Sequence, residues 1–405
     1  SYDAEWSNGV TFRSVAYHHW MTRDWRKLNR MGASTSLTDI LANPTGIRRV
    51  LYDVLTGSQD SSSNVENLWI GTNGRTFHSL GLDTNATYSF STAPVDHELR
   101  IGLRYHYDQI VRVHTEDEFA MVSRELMSTN TDQLLATSNL DSAHAVAGVL
   151  QYALRVAELT IQPGLRLEWV QVARDDRLAD TESKSADLAI LPGLSMHYEV
   201  VDGLGLLAGI HRGFSPVAPG QADDVTPEFA LNYEFGVRYQ RSDTQTLLEA
   251  IGFISDYSNL VGQCTFSSGC ELNDLDQQFN GGEAFIAGVE LVAQHTFPLP
   301  HDYTMPVRAS YTYTHATFDT SFQSANPQFG NVEAGDSLPY VAPHQMAVSL
   351  GLSHPHWSIN IGLTYFDRMR ETAGQDDGQE TDAAWLLDAS VSYSPLEWLD
   401  IYATG

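Results

Sequence analysis

The 405-residue sequence lacks the long apolar run that a transmembrane helix needs. A helix that crosses a bilayer requires about 20 predominantly apolar residues, and no such run occurs although 42% of the residues are hydrophobic. A helical membrane protein is therefore excluded. A membrane β-barrel is not excluded, because its strands span the bilayer in roughly 9 to 11 residues and are apolar on one face alone.

Positive charge is also scarce. Lys and Arg together number 23 against 51 Asp and Glu, which gives a formal net charge of -28, and only Lys27 and Lys184 are lysines. A nucleic-acid partner is disfavoured, because binding to a phosphate backbone depends on basic patches.

The recognisable motifs of enzymes are missing. The sequence contains no HExxH motif, Gly-rich phosphate loop, nucleophile elbow or paired catalytic carboxylate with a supporting base. The 15 His residues are scattered along the chain. We expect no enzymatic activity, no cofactor and no metal site.

Cysteine is limited to Cys264 and Cys270, which lie in the Ser- and Gly-rich stretch "GQCTFSSGC". A disulfide between them would brace a loop in an oxidising compartment. The alternative is a metal site, which two thiols without a nearby His pair do not favour. We predict the disulfide.

The dominant pattern is an alternation of apolar and polar residues with a period of two. It appears clearly in residues 97–108, 159–169, 229–240, 307–314 and 357–365. Successive side chains of a β-strand point to opposite faces, so the pattern predicts strands that separate two unlike surroundings. The whole sequence contains about fifteen such candidate strands.

The gaps between candidate strands alternate between short and long. Residues 241–245 and 354–356 are predicted turns, whereas 213–227, 258–282 and 367–384 are long polar loops. Membrane barrels place short turns on one side and long loops on the other. The alternative is a soluble all-β sandwich, in which the loops are not expected to alternate between short and long. We therefore predict an all-β chain that forms a transmembrane antiparallel β-barrel.

Several phrases resemble one known family, the TonB-dependent outer-membrane receptors, and within it the ferric-citrate receptor group. The phrases spread over nearly the whole chain, and their number and order carry the resemblance. They are "RDWRKLN", "HELRIGLRYHYDQIVRVHTEDEF", "LTIQPGLRLEWV", "LPGLSMHYEVVDGLGLLAGIHRGFSPVAPG", "PEFALNYEFGVRYQ", "NGGEAFIAGVELVAQ" and "SLPYVAPHQMAVSLGL".

The resemblance implies a longer protein. Receptors of this family have a barrel of about 22 strands with a plugged lumen, whereas this sequence starts and stops within barrel-like strands. We expect residues 1–405 to be one partial barrel domain, with the N-terminal plug and the terminal strands missing from it. An unclosed set of strands would leave unpaired backbone groups in the bilayer.

The resemblance also implies a function. Such a receptor lies in the bacterial outer membrane, contacts its lipid, and takes up a ferric chelate such as ferric citrate with energy that TonB delivers through the plug. Iron is then chelated cargo and not a cofactor. The alternative that the loop rhythm alone allows is a passive porin-type channel.

Charged residues at polar strand positions are predicted to face the lumen, because charge on the lipid face is costly. In the family the lumen holds the plug, so these residues are candidates for plug contacts. The alternative is that they line a wet interior. The residues are Arg100, Arg104, Arg166, Glu168, Glu234 and Arg238.

Residues 22–75 form a predicted loop with a net charge of +2 in this acidic chain. Ser36 and Thr45 are predicted to cap two short helices, the second of which ends at Gly57. Arginines on an ordered scaffold suit a carboxylate-bearing chelate. The alternative is that they neutralise nearby acids or lipopolysaccharide phosphates. The candidate ligand-binding residues are Arg23, Arg26, Arg30, Arg48 and Arg49.

One acidic run is assigned no role in binding. Glu116, Asp117 and Glu118 follow each other in "HTEDEF". We interpret them as part of a solvated loop.

Overall fold

The computed structural model describes residues 1–32, 37–265, 270, 276–374 and 380–405. The chain is all-β, with 70% of its residues in strands. Two helices are present in the described residues, α1 (Leu37–Ala42) and α2 (Ile47–Leu55), with a 3₁₀ turn at Asn64–Glu66. The strands are β1 (Tyr2–Glu5), β2 (Val10–Met31), β3 (Leu68–Thr92), β4 (Val95–Val122), β5 (Glu125–Ser128), β6 (Leu134–Val156), β7 (Leu159–Asp176), β8 (Thr181–Val201), β9 (Leu204–Ser215), β10 (Glu228–Arg241), β11 (Thr246–Asn259), β12 (Val261–Gln263), β13 (Gln278–Asn280), β14 (Ala284–Pro298), β15 (Thr304–Phe318), β16 (Phe322–Gln323), β17 (Asn331–Val332), β18 (His344–His354), β19 (Trp357–Phe366), β20 (Ala384–Leu396) and β21 (Leu399–Thr404).

One antiparallel sheet contains 17 of these strands. The strands pair with their neighbours in chain order, with β1 at one end and β21 at the other. Short β5 adds to the end of β4, and β12–β13 and β16–β17 form small ribbons within loops. Without the short strands β1 and β5 the sheet has 15 strands, in agreement with the predicted number of about fifteen, and the predicted all-β fold class is confirmed.

The connections fall into two sets at opposite ends of the strands. Turns of a few residues join β3 to β4, β8 to β9, β10 to β11 and β18 to β19 at one end. Long loops join β2 to β3, β9 to β10, β11 to β14 and β15 to β18 at the other. The connection from β7 to β8 at 177–180 is short although it lies at the long-loop end, because both strands continue further there.

The two faces of the sheet differ in chemistry. On one face large apolar side chains are exposed, among them Leu188 at 68% and Leu387 at 72%. The other face carries charged and amide side chains, some of which pair across strands, as Arg100 does with Asn85 and Arg238 with Glu249. Exposed apolar residues in such number indicate a lipid-facing surface. The apolar face is therefore the outer face of the barrel wall, and the polar face is the inner one.

No helix among the described residues is long and apolar enough to cross a membrane.

Aromatic side chains on the outer face mark the edges of the membrane band. Tyr88 and Tyr152 lie near the short-turn end of their strands, whereas Tyr105, Tyr107 and Trp169 form an upper belt nearer the long loops. Tyr and Trp prefer the two membrane interfaces. The strands continue beyond the upper belt, and we name that part the extension. It comprises residues 19–31, 68–79, 109–122, 134–143 and 172–176.

The extension corrects one prediction. Residues 22–75 are not a single loop, because β2 runs to Met31 and β3 begins at Leu68. The two strands pair through the whole segment from Arg23 to Met31, with one bulge near Leu28. The apolar alternation ends at the belt because water replaces lipid on the outer face. The backbone pairing of the two strands nevertheless continues.

The helices of the β2–β3 loop pack on the outer face of the extension. Leu51 and Val54 of α2 and Ile40 of α1 are completely buried, and they join Met31 and Leu68 in one apolar cluster. This cluster fixes the loop against the barrel wall.

The predicted caps of the helices had mixed outcomes. Gly57 follows α2 as predicted, with a left-handed φ of 70° and its N–H donated to Val54 O at 3.0 Å. The prediction for Thr45 was wrong. The N-cap is Gly46, with φ 57°, and the Thr45 hydroxyl donates to Asn43 at 3.4 Å instead of accepting from the helix. Ser36 lies outside the described residues.

The long loops at the other side of the barrel share a second apolar cluster. Phe318, Phe322 and Phe329 meet edge to face, with ring centroids 5.4 to 6.0 Å apart. Phe318 is fully buried, and Leu338 and Val332 complete the cluster. The β15–β18 loop is therefore held by an apolar core that it shares with neighbouring segments such as Leu260 and Ala373.

The helix packing makes a testable prediction. Leu51→Ala should destabilise the helix pair by roughly 2 to 5 kcal/mol, the usual cost of a buried Leu→Ala change, and should raise amide hydrogen exchange across residues 37–57 of the full-length receptor. Ile47→Ala on the same helix is the matched control, because Ile47 is 55% exposed. Unchanged exchange in Leu51→Ala, or an equal rise in the control, would contradict this packing.

Candidate functional site

Three arginines stand side by side on the inner face of the extension. In the strand register Arg23 of β2 is opposite Arg75 of β3, which is opposite Arg112 of β4. We name these residues the arginine row. Arg112 shares the inner face with Arg100 and Arg104, since all three are at even positions of one strand. It lies 17 residues from Val95 at the short-turn end of β4. That distance exceeds the roughly 9 to 11 residues that span a bilayer, so the row lies beyond the membrane band.

Buried polar atoms around the row lack partners. Among the described residues, no hydrogen bond is made by Nε of Arg23 or Arg112, or by Oδ1 of Asn73 or Asn139. Asn139 is opposite Arg112 on β6. Buried polar groups in proteins nearly always have a partner. Two donors and two acceptors without one therefore lie in the same part of the wall as the row.

Two carboxylates offset the positive charge of Arg112, which is at one end of the row. Asp141, which is 3% exposed, accepts two hydrogen bonds from Arg174 at 2.6 and 3.0 Å and lies 3.4 Å from Nη1 of Arg112. The same Arg112 atom is 3.5 Å from Asp276, which comes from the β11–β14 loop. The Asp141 hydrogen bonds raise the pKa of Arg174 above its usual value. Arg23 and Arg75 have no such carboxylate contact among the described residues.

The electrostatics of the row show an excess of positive charge. Burial, and next to it the charge of Arg112, lowers the pKa of Arg75 from its ordinary value. His114 lies beside the row and accepts a hydrogen bond from Arg75 Nε at 3.4 Å. Burial, together with Arg75 and Arg112, lowers the pKa of His114 to about 4. At neutral pH the imidazole is uncharged, and the row itself carries the positive charge.

The disulfide prediction is confirmed, and the loop that contains it reaches the row. Cys264 and Cys270 are bonded, with their Cα atoms 5.7 Å apart. The Asp276 N–H donates to Cys264 O at 2.9 Å, and the Cys264 N–H donates to Gln277 O at 2.8 Å. The disulfide-bonded Cys264 is therefore hydrogen-bonded to the backbone of Asp276, whose carboxylate contacts Arg112.

The five predicted ligand-binding arginines are not brought together. Arg23 belongs to the row. Arg30 is also on the inner side, where it bonds Glu116 at 3.0 Å and stacks on Trp69 at 4.3 Å. Arg26 is on the opposite face of β2, 5.6 Å from the Phe119 ring.

The two arginines of α2 lie outside the barrel wall. Arg49 is exposed and pairs with Asp53 one turn later at 3.0 Å. Arg48 is half-buried, and its side chain makes no hydrogen bond or ion pair with described residues. The role of all five arginines in ligand binding stays a prediction.

The interpretation of the acidic run as a solvated loop was wrong. Glu116 and Glu118 are in β4, and they are 5% and 9% exposed. Glu116 accepts from Arg30 and Asn29, and Glu118 accepts from Asn67 at 2.9 Å. The Asn67 hydrogen bond lowers the pKa of Glu118 more than burial raises it. These acids lie in the extension, where the strand pairing continues and basic partners are available.

The predicted lumen residues all lie on the inner face by the strand register, and several have partners there. Arg166 donates to Glu168 at 2.6 Å, Arg238 pairs with Glu249, and Arg100 donates to Asn85 at 3.2 Å. Contact with a plug stays a prediction. Glu234 and Arg238 line an inner cavity of about 600 Å³ together with His197, Asn232 and Glu290.

Arg104 belongs to a chain of hydrogen bonds that joins β4 to β2 over the intervening strand β3. It donates to the Tyr17 hydroxyl at 3.1 Å, which also bonds His106 Nδ1 at 2.5 Å, and His106 bonds Asp108 at 2.7 Å. Tyr17 crosses Gly81 to reach His106, and a Cβ at Gly81 would lie 2.4 Å from the Tyr17 hydroxyl. Glycine is required there by this close approach.

Sequence reasoning missed Arg75, Arg112, His114 and Asp141 as members of one site. Their positions on the polar side of the alternation were visible in the sequence. Their grouping was not, because it depends on the register that places three strands side by side.

The pKa of His114 gives a test of the row. Arg75→Gln removes a positive neighbour and should raise the pKa of His114 from about 4 towards its ordinary value of 6.5. A histidine-selective NMR titration of the full-length receptor measures this, with Arg100→Gln as the matched control on the same wall. An unchanged His114 pKa in Arg75→Gln would contradict the assigned electrostatics.

Relatives and solved structures share the fold. The Pesticin receptor of Yersinia enterocolitica is 26% identical over 240 residues, which are 54% of this chain and 31% of that protein. The ferric citrate transporter FecA in its unliganded form matches with a TM-score of 0.70 at 17% identity, over 99% of this chain and 54% of that one. The siderophore receptor PiuA from Acinetobacter baumannii matches with a TM-score of 0.73 at 12% identity, over 99% of this chain and 58% of that one. The chain thus spans about a third of its curated relative and a little over half of these structures.

A family model settles the classification. The model described as TonB dependent receptor-like, beta-barrel, matches residues 1–404. This match confirms the sequence resemblance and the predicted barrel. The chain belongs to the TonB-dependent receptor β-barrel family, whose members are transport receptors of the bacterial outer membrane and not enzymes.

Proposed function

We propose that this chain is the barrel of a receptor that takes up a ferric chelate bearing carboxylates, with ferric citrate as the first candidate. Energy for uptake comes from TonB acting through a plug, and iron is the cargo within the chelate. The arginine row is the single observation that carries the ligand class. The name of one structural neighbour, the ferric citrate transporter, agrees with it.

The chemistry of the row suits a carboxylate better than a neutral ligand. Guanidinium groups form paired, charge-assisted hydrogen bonds with carboxylates. Arg75 and Arg112 are adjacent in the register, so one ligand carboxylate can accept from both. Nε of Arg23 and of Arg112 is a buried donor without a partner among the described residues.

The position of the row suits the outer mouth of a receptor. It lies beyond the upper belt, on the side of the long loops, and it faces the lumen. A chelate arriving from outside would meet this part of the wall before the membrane band. The net charge of -28 makes the row a local exception, and local positive potential concentrates an anionic ligand.

The arginines of the β2–β3 loop have a separate proposed role in first capture. Arg48 and Arg49 lie on the outside of the wall, and the Arg49–Asp53 pair is of the exposed kind that holds weakly. Arg26 and Arg30 lie on β2 between that loop and Arg23, on opposite faces of the strand. These residues would meet an anion first and pass it to the row.

Contacts with the plug are proposed for the inner face below the row. Arg100, Arg104, Glu234 and the pairs Arg166–Glu168 and Arg238–Glu249 offer charges on the membrane-level wall. A passive porin, the alternative, has no support from the comparisons. Uptake that stops when the inner-membrane energy source is removed would separate the receptor from a porin.

The row is tested by ligand binding. Arg75→Gln and Arg112→Gln in the full-length receptor should each weaken ferric citrate binding by roughly 10- to 100-fold, because a hydrogen bond to a charged group is worth about 1.5 to 3 kcal/mol. Calorimetric titration measures the affinity, and Arg100→Gln, lower on the same strand, is the matched control. Unchanged affinity in both variants would remove the row from the site.

First capture is tested by a different variant. Arg48→Ala combined with Arg49→Ala should slow association of the chelate and leave dissociation nearly unchanged, because these groups act by attraction before the final contact. Stopped-flow kinetics at low and high salt would detect the change. An association rate equal to that of the unmodified receptor at low salt would exclude the pair.

A further inference from the structure

Asp276 places a carboxylate against the arginine row from a distant part of the chain. Its Oδ2 is 3.5 Å from Nη1 of Arg112, and 164 residues separate the two along the sequence. Asp276 belongs to the loop between β11 and β14, and β11 is six strands along the sheet from β4, the strand of Arg112. A carboxylate is the group that the row is proposed to bind in a ligand.

The backbone of Asp276 is held by contacts outside the row. Its N–H donates to Cys264 O, and its carbonyl accepts from Gln221 Nε2 at 3.1 Å. Gln221 also accepts from the Gln278 N–H at 2.6 Å. Cys264 is completely buried and bonded to Cys270. The position of the Asp276 carboxylate is therefore set by the loop and its disulfide, and not by Arg112.

The two carboxylates near Arg112 differ in how firmly they are held. The Asp141 side chain is 4% exposed and makes two short hydrogen bonds to Arg174, so it is a permanent part of the wall. The Asp276 side chain is 44% exposed and has one long contact with Arg112. Exposed single ion pairs are weak, so Asp276 is the partner that another anion can replace.

We propose that Asp276 is an internal carboxylate that occupies the row in the absence of ligand and is displaced by a carboxylate of the chelate. This inference rests on the proposed function of the row. The exchange makes Asp276 a specificity-determining residue. A neutral or cationic chelate gains nothing from displacing it, whereas an anionic chelate replaces one carboxylate with another that carries more contacts.

The inference is tested in the full-length receptor with Asp276→Asn. Removal of the competing charge should tighten ferric citrate binding by about two- to fivefold, the range expected for an exposed ion pair. Asp223→Asn is the matched control, because Asp223 is an exposed acid of the neighbouring β9–β10 loop with no contact to the row. Equal or weaker binding in Asp276→Asn, or the same gain in the control, would overturn the inference.

Arg112→Gln distinguishes failure of the inference from failure of the proposed function. In an Arg112→Gln background, Asp276→Asn should give no further gain in affinity. If Arg112→Gln weakens binding and Asp276→Asn has no effect in the unmodified receptor, only the role of Asp276 fails. If Arg112→Gln and Arg75→Gln both leave binding unchanged, the row is not the site and both proposals fail.

Discussion

The structure depends on one constraint, the inability of a bilayer to solvate polar groups. Every backbone N–H and C=O within the membrane must pair with a neighbouring strand, and every charged side chain must leave the lipid face. The sheet meets both demands by pairing in chain order and by sending charges to the inner face. Arg100 and Arg104 are inward for this reason, while Leu99, Ile101 and Leu103 are outward. The same rule concentrates scarce arginines on one side of the wall.

Beyond the upper belt water can solvate polar groups, so the constraint no longer applies, but the strand pairing continues. The strands keep their register through the extension, and successive side chains still point to opposite faces, so Arg23, Arg75 and Arg112 are all on the inner face. Water and protein replace lipid on the outer face, which is why helices α1 and α2 can bury Leu51 and Val54 there. The register of the strands within the membrane therefore determines which face the side chains of the extension occupy.

The sequence predicted those features that repeat along single strands. Periodicity located the strands, and the contrast of short turns with long loops predicted the two ends of the barrel. It failed at the upper end of β2, because the apolar alternation stops at the belt while backbone pairing continues to Met31. It also failed for Thr45, because the choice of Gly46 as N-cap depends on a local left-handed turn. The arginine row could not be predicted, because it depends on the register between strands. Its contact with Asp276 could not be predicted either, because Asp276 lies 164 residues from Arg112 in the sequence.

The most direct test of the central claim is a structure of the full-length receptor with ferric citrate bound. The account predicts chelate carboxylate oxygens at about 3 Å, hydrogen-bonding distance, from the guanidinium groups of Arg75 and Arg112, with Asp276 moved away from Arg112. A chelate bound elsewhere, with the arginine row occupied by Asp276 or by residues of the plug, would contradict it.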